Sequence, residues 1–228
     1  GLDRGADGLF ADCRVESVTL PASLREVGAR AFWASGLREV AVGEGSRLER
    51  LGPFAFAHCG GLRAAALPDC VRALGEGCFA GSGLEAFRVP AGVGVLEKLT
   101  FQGCGALASV CLPEGLESVE ERCFEECGLL EVKIPGSVRR VGWGAFRACR
   151  DLKTVDFAEG LEEIGTWAFS ACGFEAVAFP RSLETIRSHA FSGCRRLGRL
   201  VFADGCRLES VGEYAFCETS LGAETAFE

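Results

Sequence analysis

The chain has 228 residues, 48% of them hydrophobic, a formal net charge of −8 and a pI near 5.0. That balance excludes nucleic-acid binding through a general electrostatic field. No apolar run approaches the roughly 18–20 residues that cross a bilayer, so no membrane span is expected.

In chain order the first landmark is Phe10, and it returns at Phe32, Phe56, Phe79, Phe101, Phe124, Phe146, Phe169, Phe191 and Phe216. The gaps run from 22 to 25 residues. A self-similar period of that length is the mark of a solenoid. Each coil reads L-x-x-V-x-L/I-P-x-x-L/V-x-x-V/I-G-x-x-A-F-x-x-C. The V-x-L alternation predicts a short strand with one buried face, with cores at Val18/Leu20, Val40/Val42, Ala65/Leu67, Phe87/Val89, Val110/Leu112, Val132/Ile134, Val155/Phe157, Val177/Phe179 and Leu200/Phe202. Pro21, Pro68, Pro90, Pro113, Pro135 and Pro180 follow the strand, where a missing N–H ends ladder pairing. Matched insertions at Gly43–Arg47 and Ala203–Arg207 mark a tolerant loop.

The second half of the coil, Val27 to Ser35 in the first copy, has apolar spacings closer to a helical turn than to a strand, with a turn followed by a short second strand as the alternative. Gly28, Gly52, Gly75, Gly142, Gly165 and Gly212 would permit a positive φ at this bend, but Glu97, Glu120 and Arg187 replace them elsewhere, so that conformation is not obligatory. Stacked coils place each phenylalanine over the next at about the 4.7–4.9 Å strand spacing. The expected architecture is one repeat solenoid over residues 1–228. It has about nine full coils of 22–25 residues, partial coils at 1–14 and 221–228, and short parallel strands on one face. Turns, short helical pieces or second strands occupy the other.

The segment Ile134–Cys149, IPGSVRRVGWGAFRAC, resembles the BspA-type leucine-rich repeat, and the likeness extends over essentially the whole chain. The resemblance implies protein recognition, as in bacterial surface proteins that attach to host components, and no catalysis. Both ends fall mid-coil, with Glu224 where an inward strand residue belongs. Neighbouring chain or a partner subunit is therefore expected to cover at least one end.

Of the thirteen cysteines, Cys13, Cys59, Cys104, Cys127, Cys149, Cys172 and Cys194 stand three residues after the repeat phenylalanine, and Cys78 and Cys123 just before it. They read as small buried fillers and free thiols. Reduced thiols lean the chain toward an intracellular or organellar compartment, with the cell surface as the alternative. Cys111 sits between two inward strand residues and should face solvent. Without C-x-x-C pairs, and with only His58 and His189, no metal, cofactor or catalytic constellation is expected.

Two faces compete for binding a protein partner. The strand face presents the residues flanking the inward Val, with charges at Glu39, Arg88, Glu131, Lys133, Asp156 and Arg199. Small residues elsewhere keep it smooth. The other is an aromatic stripe one residue before the repeat Ala: Trp167, His189 and Tyr214, with Trp143 one position further back. Its rings either form a patch or lie flat and shield the turn. The expected function is a non-catalytic interaction scaffold, a segment or subunit of a larger assembly, with a surface adhesin as the alternative.

Overall fold

The computed structural model describes residues 4–222. Nine coils each contribute a strand of two to four residues and a second strand of two. The first series is β1 (Ser17–Leu20), β3 (Glu39–Val42), β5 (Ala64–Ala65), β7 (Ala86–Arg88), β9 (Ser109–Cys111), β11 (Glu131–Ile134), β13 (Thr154–Phe157), β15 (Ala176–Phe179) and β17 (Arg199–Phe202). The second is β2 (Glu26–Val27), β4 (Arg50–Leu51), β6 (Ala73–Leu74), β8 (Val95–Leu96), β10 (Ser118–Val119), β12 (Arg140–Val141), β14 (Glu163–Ile164), β16 (Thr185–Ile186) and β18 (Ser210–Val211). The second series forms one continuous nine-stranded parallel sheet, whereas the first breaks into ladders β1-β3-β5, β7-β9, β11-β13 and β15-β17. Register repeats from coil to coil, as in Val132↔Val155 and Ile134↔Phe157.

The second strand lies at the V/I that precedes the glycine slot, and the Ala-Phe segment is a run of turns. No helix occurs among the described residues. The turn run has its own hydrogen-bond logic. Ala31, Trp33 and Ser35 donate back three residues to Gly28, Arg30 and Phe32, while Arg30, Phe32 and Ala34 donate to Pro53, Ala55 and Ala57 of the next coil. Alternate N–H groups thus close the turn and join the coils, so a segment without strands still satisfies its backbone.

Positive φ falls outside the glycine slot. Gly28, Gly142 and Gly165 do not have it; it occurs at the residue before the repeat Ala and at the second after the Phe, as at Arg30 (53°) and Ala34 (51°). The glycine slot is instead a close approach between coils. A Cβ on Gly165 would lie 2.6 Å from the Val141 carbonyl oxygen, and one on Gly28 2.5 Å from that of Gly5.

The core is the expected phenylalanine column. From Phe10 to Phe216 successive rings are stacked, with centroids 5.0–5.7 Å apart and planes within 2–18°. The distances exceed the strand spacing because the rings are offset, the arrangement that aromatic quadrupoles favour. Phe87, Phe157, Phe174 and Phe179 pack against the column at steep angles. The column is met end-on at the first described coil, where a recess of about 710 Å³ is lined by Phe10, Leu20, Leu24, Val27 and Phe32 among others. Glu224 and the rest of the partial coil after Gly222 lie outside the described residues.

Candidate interaction faces

On the first series of strands, alternation turns one side chain inward and the next outward. The burial of β11, exposed–buried–exposed–buried, shows it directly. Glu39, Arg88, Glu131, Lys133, Asp156 and Arg199 are all exposed on this face, among Ser17, Thr19, Ala41, Ala64, Ala66 and Ala178. The structure therefore brings the six charges to one surface, though not into one cluster. Arg88 reaches along the coil edge to Asp69 at 2.9 Å, and hydrogen bonding to that guanidinium holds the Asp69 carboxyl below its usual range. Lys133 is 3.7 Å from Glu114, although its ladder partner is Asp156. Among the described residues Glu39, Glu131, Asp156 and Arg199 form no ion pair, so their charges are open to solvent.

The aromatic stripe occupies the positive-φ position of its coils: Trp167 at 59°, His189 at 58° and Tyr214 at 58°. From there the Trp167 and His189 rings each meet the ring of the following coil. Trp167 and His189 stack at 4.0 Å with planes 3° apart, and Tyr214 continues the stack 5.2 Å from His189. Trp143 stands apart, covered by the Arg122 guanidinium at 4.5 Å. Trp143, Trp167 and His189 are half-buried, and His189 Nδ1 is buried without a hydrogen-bond partner. Only Tyr214, 63% exposed, presents most of its ring to solvent.

Beside Trp143 lies a cluster whose members Gln102, Glu125 and Arg147 share one repeat position, just after the Phe of three successive coils. Glu125 is buried and accepts hydrogen bonds from Gln102 Nε2 at 2.7 Å and Arg147 at 3.1 Å, with Arg122 Nε 3.8 Å away. It ties three coils together. A second aromatic group, Trp33, Phe54 and His58, sits on the turn face of the early coils. Phe54 shares the repeat position of Trp167, His189 and Tyr214, so the stripe signal extends to it; Trp33 and His58 occupy other positions and carry no such signal.

The cysteine ladder is a hydrogen-bonded one. Cys59, Cys104, Cys127, Cys149, Cys172 and Cys194 each donate Sγ–H to the carbonyl oxygen of the preceding coil's repeat phenylalanine, at 3.0–3.2 Å. That oxygen already accepts a turn N–H, such as Cys127 N to Phe124 O at 3.2 Å, so the thiol fills its second lone pair. Burial pushes the Cys149 and Cys194 thiols up to about 12. Cys111 is exposed on the strand face, as expected. Neither histidine forms a hydrogen bond or ion pair with a carboxylate among the described residues. No helix there is long and apolar enough to cross a membrane.

With this geometry in place, the family is settled. The model of the BspA type leucine rich repeat region matches residues 6–131 and 117–226 in six copies, and the chain belongs to that family. Among solved structures it is similar to a leucine rich cell surface protein from Faecalibacterium prausnitzii. The two share 24% identity over 90% of this chain and 69% of that one, with a TM-score of 0.69. A leucine rich repeat protein of T. pallidum matches at 24% identity over 98% and 87% of the two chains, TM-score 0.59. One from Eubacterium ventriosum matches at 15% identity over 100% and 83%, TM-score 0.56. At these identities the likeness is one of fold. No curated protein matches the chain.

Proposed function

We propose that this chain is a non-catalytic protein-binding rod that engages its partner through the strand face. The observation that carries this reading is the set of exposed charges that form no ion pair among the described residues, Glu39, Glu131, Asp156 and Arg199, spread over separate ladders of one face among small side chains. Rigid β-backbone beneath them fixes charge positions with little entropy left to lose on binding. The aromatic stripe is the weaker candidate, because Trp143, Trp167 and His189 are committed to neighbouring coils. Tyr214 is the part of it free to meet a partner.

Of the two settings, display at the cell surface is the better supported, since one of the similar structures is described as a cell surface protein. The thiols do not oppose it. Eight of the thirteen cysteines are buried, and a thiol sealed in packing stays reduced in an oxidising medium as it does in a reducing one. The intracellular leaning thereby loses its main argument.

Charge reversal of the pair Glu131→Lys and Lys133→Glu tests the assignment against truncation of Trp167→Ala and Tyr214→Ala. The strand-face variant is expected to lose at least tenfold in partner capture and the aromatic variant less. Retention of full capture by the strand-face variant contradicts the assignment.

A further inference from the structure

The turn face of the first three coils carries a pocket of about 270 Å³ lined by Arg30, Trp33, Phe54 and His58. Its walls come from two coils. Trp33 meets His58 edge-to-face, centroids 5.8 Å apart and planes at 88°, and the Arg30 guanidinium lies 6.0 Å from the Phe54 ring centre. The Phe54 and His58 rings in turn rest close to glycines of a third coil. A Cβ on Gly77 would run into the Phe54 ring, and one on Gly81 would lie 2.7 Å from His58 Nδ1. Both glycines sit at the positive-φ positions that hold Leu99 and Arg122, or Glu126, in later coils. The two rings lie where they do because the third coil has no side chains there.

The pocket's charge is unbalanced. Eleven of the 21 arginines form ion pairs among the described residues, as in Arg25–Glu49 and Arg187–Glu163, and Arg30 is one of those that do not. Arg30 is exposed and has no carboxylate within ion-pair distance among the described residues. Nearby acids are already engaged: Asp7 accepts the Ala29 N–H at 2.9 Å and faces Arg4 at 3.6 Å, and Glu76 lies 3.5 Å from Lys98. Although the net charge of −8 opposes an anion at long range, the Arg30 guanidinium beside the aromatic walls is a complementary local seat for one. The volume falls just below the roughly 300–1,000 Å³ of small-molecule sites, and suits one inserted side chain. A wider depression lined by Ala11, Ala29 and Pro53 continues past Arg30, with room for the flanking residues of a peptide.

We propose that this pocket docks an acidic–aromatic peptide segment of a protein partner. An aromatic side chain inserts between Trp33, Phe54 and His58, and a neighbouring carboxylate accepts hydrogen bonds from the Arg30 guanidinium. Guanidinium–carboxylate hydrogen bonds are directional and stronger than neutral ones, and buried aromatics and arginines are enriched in interface hot spots. The site rests on reading the chain as a protein binder, but is separate from the strand face.

Calorimetric titration of the full chain with two end-blocked heptapeptides tests it, one carrying Asp-Phe-Asp at its centre and the other Lys-Phe-Lys. The acidic peptide is expected to bind at least tenfold more tightly. Arg30→Glu should reverse that preference, and Phe54→Ala should weaken the acidic peptide about tenfold. The strand-face charge-reversal variant should bind it as the unaltered chain does, so loss of partner capture there and loss of peptide binding here report on different assignments. Absence of saturable binding, or a preference unmoved by Arg30→Glu, overturns the proposal.

Discussion

At the residue scale, the cysteines show how a chemically suggestive side chain is absorbed by packing. A thiol is small enough for the slot after each phenylalanine and has one weak donor to offer the carbonyl above it. Ser35 and Ser82 fill the same slot and contact the next coil's thiols, Cys59 at 3.5 Å and Cys104 at 3.4 Å, so the position calls for a small donor and not for sulfur chemistry. Native titration with a thiol reagent should modify Cys13, Cys111 and Cys217 rapidly, Cys70 and Cys206 more slowly, and the eight buried thiols only after unfolding. The same burial sets a pH dependence. Cys149 and Cys194 ionise near 12 when folded and at the ordinary value of 9.0 when unfolded, so between these limits the folded chain holds more protons. Their contribution to stability is present in full below pH 9 and is lost as pH rises toward 12. Chemical denaturation across pH 7–11 should show a plateau and then a fall; stability rising above pH 9 contradicts the buried ladder.

At the element scale, the first-series strands, the proline stops and the Phe column were legible in the sequence because each repeats in one dimension, whereas the second strands, which precede a run of turns, stand where a helical turn was expected. The glycine slot was legible as a position but not as a cause. Its reason is the distance between two coils, a quantity no single coil contains. The prediction that follows separates close approach from conformational freedom. Gly165→Ala forces its Cβ against the Val141 carbonyl and should cost about 1–3 kcal/mol, the usual range for overpacking. The presence of Glu97, Glu120 and Arg187 at equivalent slots argues against a larger penalty. Gly105, where an added Cβ meets nothing within 4 Å and φ is not positive, serves as the control. Gly105→Ala should be neutral or stabilise by up to about 1 kcal/mol through the unfolded chain. Equal effects at the two sites in urea unfolding contradict the close-approach account.

At the scale of the whole molecule, the continuous sheet is the one built from two-residue strands, while the longer strands break into four ladders. Repetition predicts a strand in every coil but not which ladder stays unbroken, since that depends on small shifts in coil angle. The candidate sites divide the same way. The strand-face charges were readable because outward positions alternate with inward ones, as at Glu131 and Lys133. Pairing among them was not: Lys133 turns to Glu114 and not to Asp156. The Arg30 pocket unites non-equivalent positions of two coils, which a repeat alignment sets in different columns, whereas Gln102, Glu125 and Arg147 share the column just after the repeat Phe, where an amide, an acid and a base in successive coils were a readable signal.

Nearest-neighbour stacking makes each interior coil dependent on both its neighbours. Phe10 and Phe216 are half-buried, and the eight rings between them are buried. A denaturant-unfolding series that replaces the ten column phenylalanines one at a time by Ala measures this directly. Losses of about 3–5 kcal/mol are predicted at the positions from Phe56 to Phe191, with clearly smaller ones at Phe10 and Phe216. A profile in which the interior substitutions cost less than about 1 kcal/mol, the range of surface changes, contradicts a stacked aromatic column as the support for the binding faces.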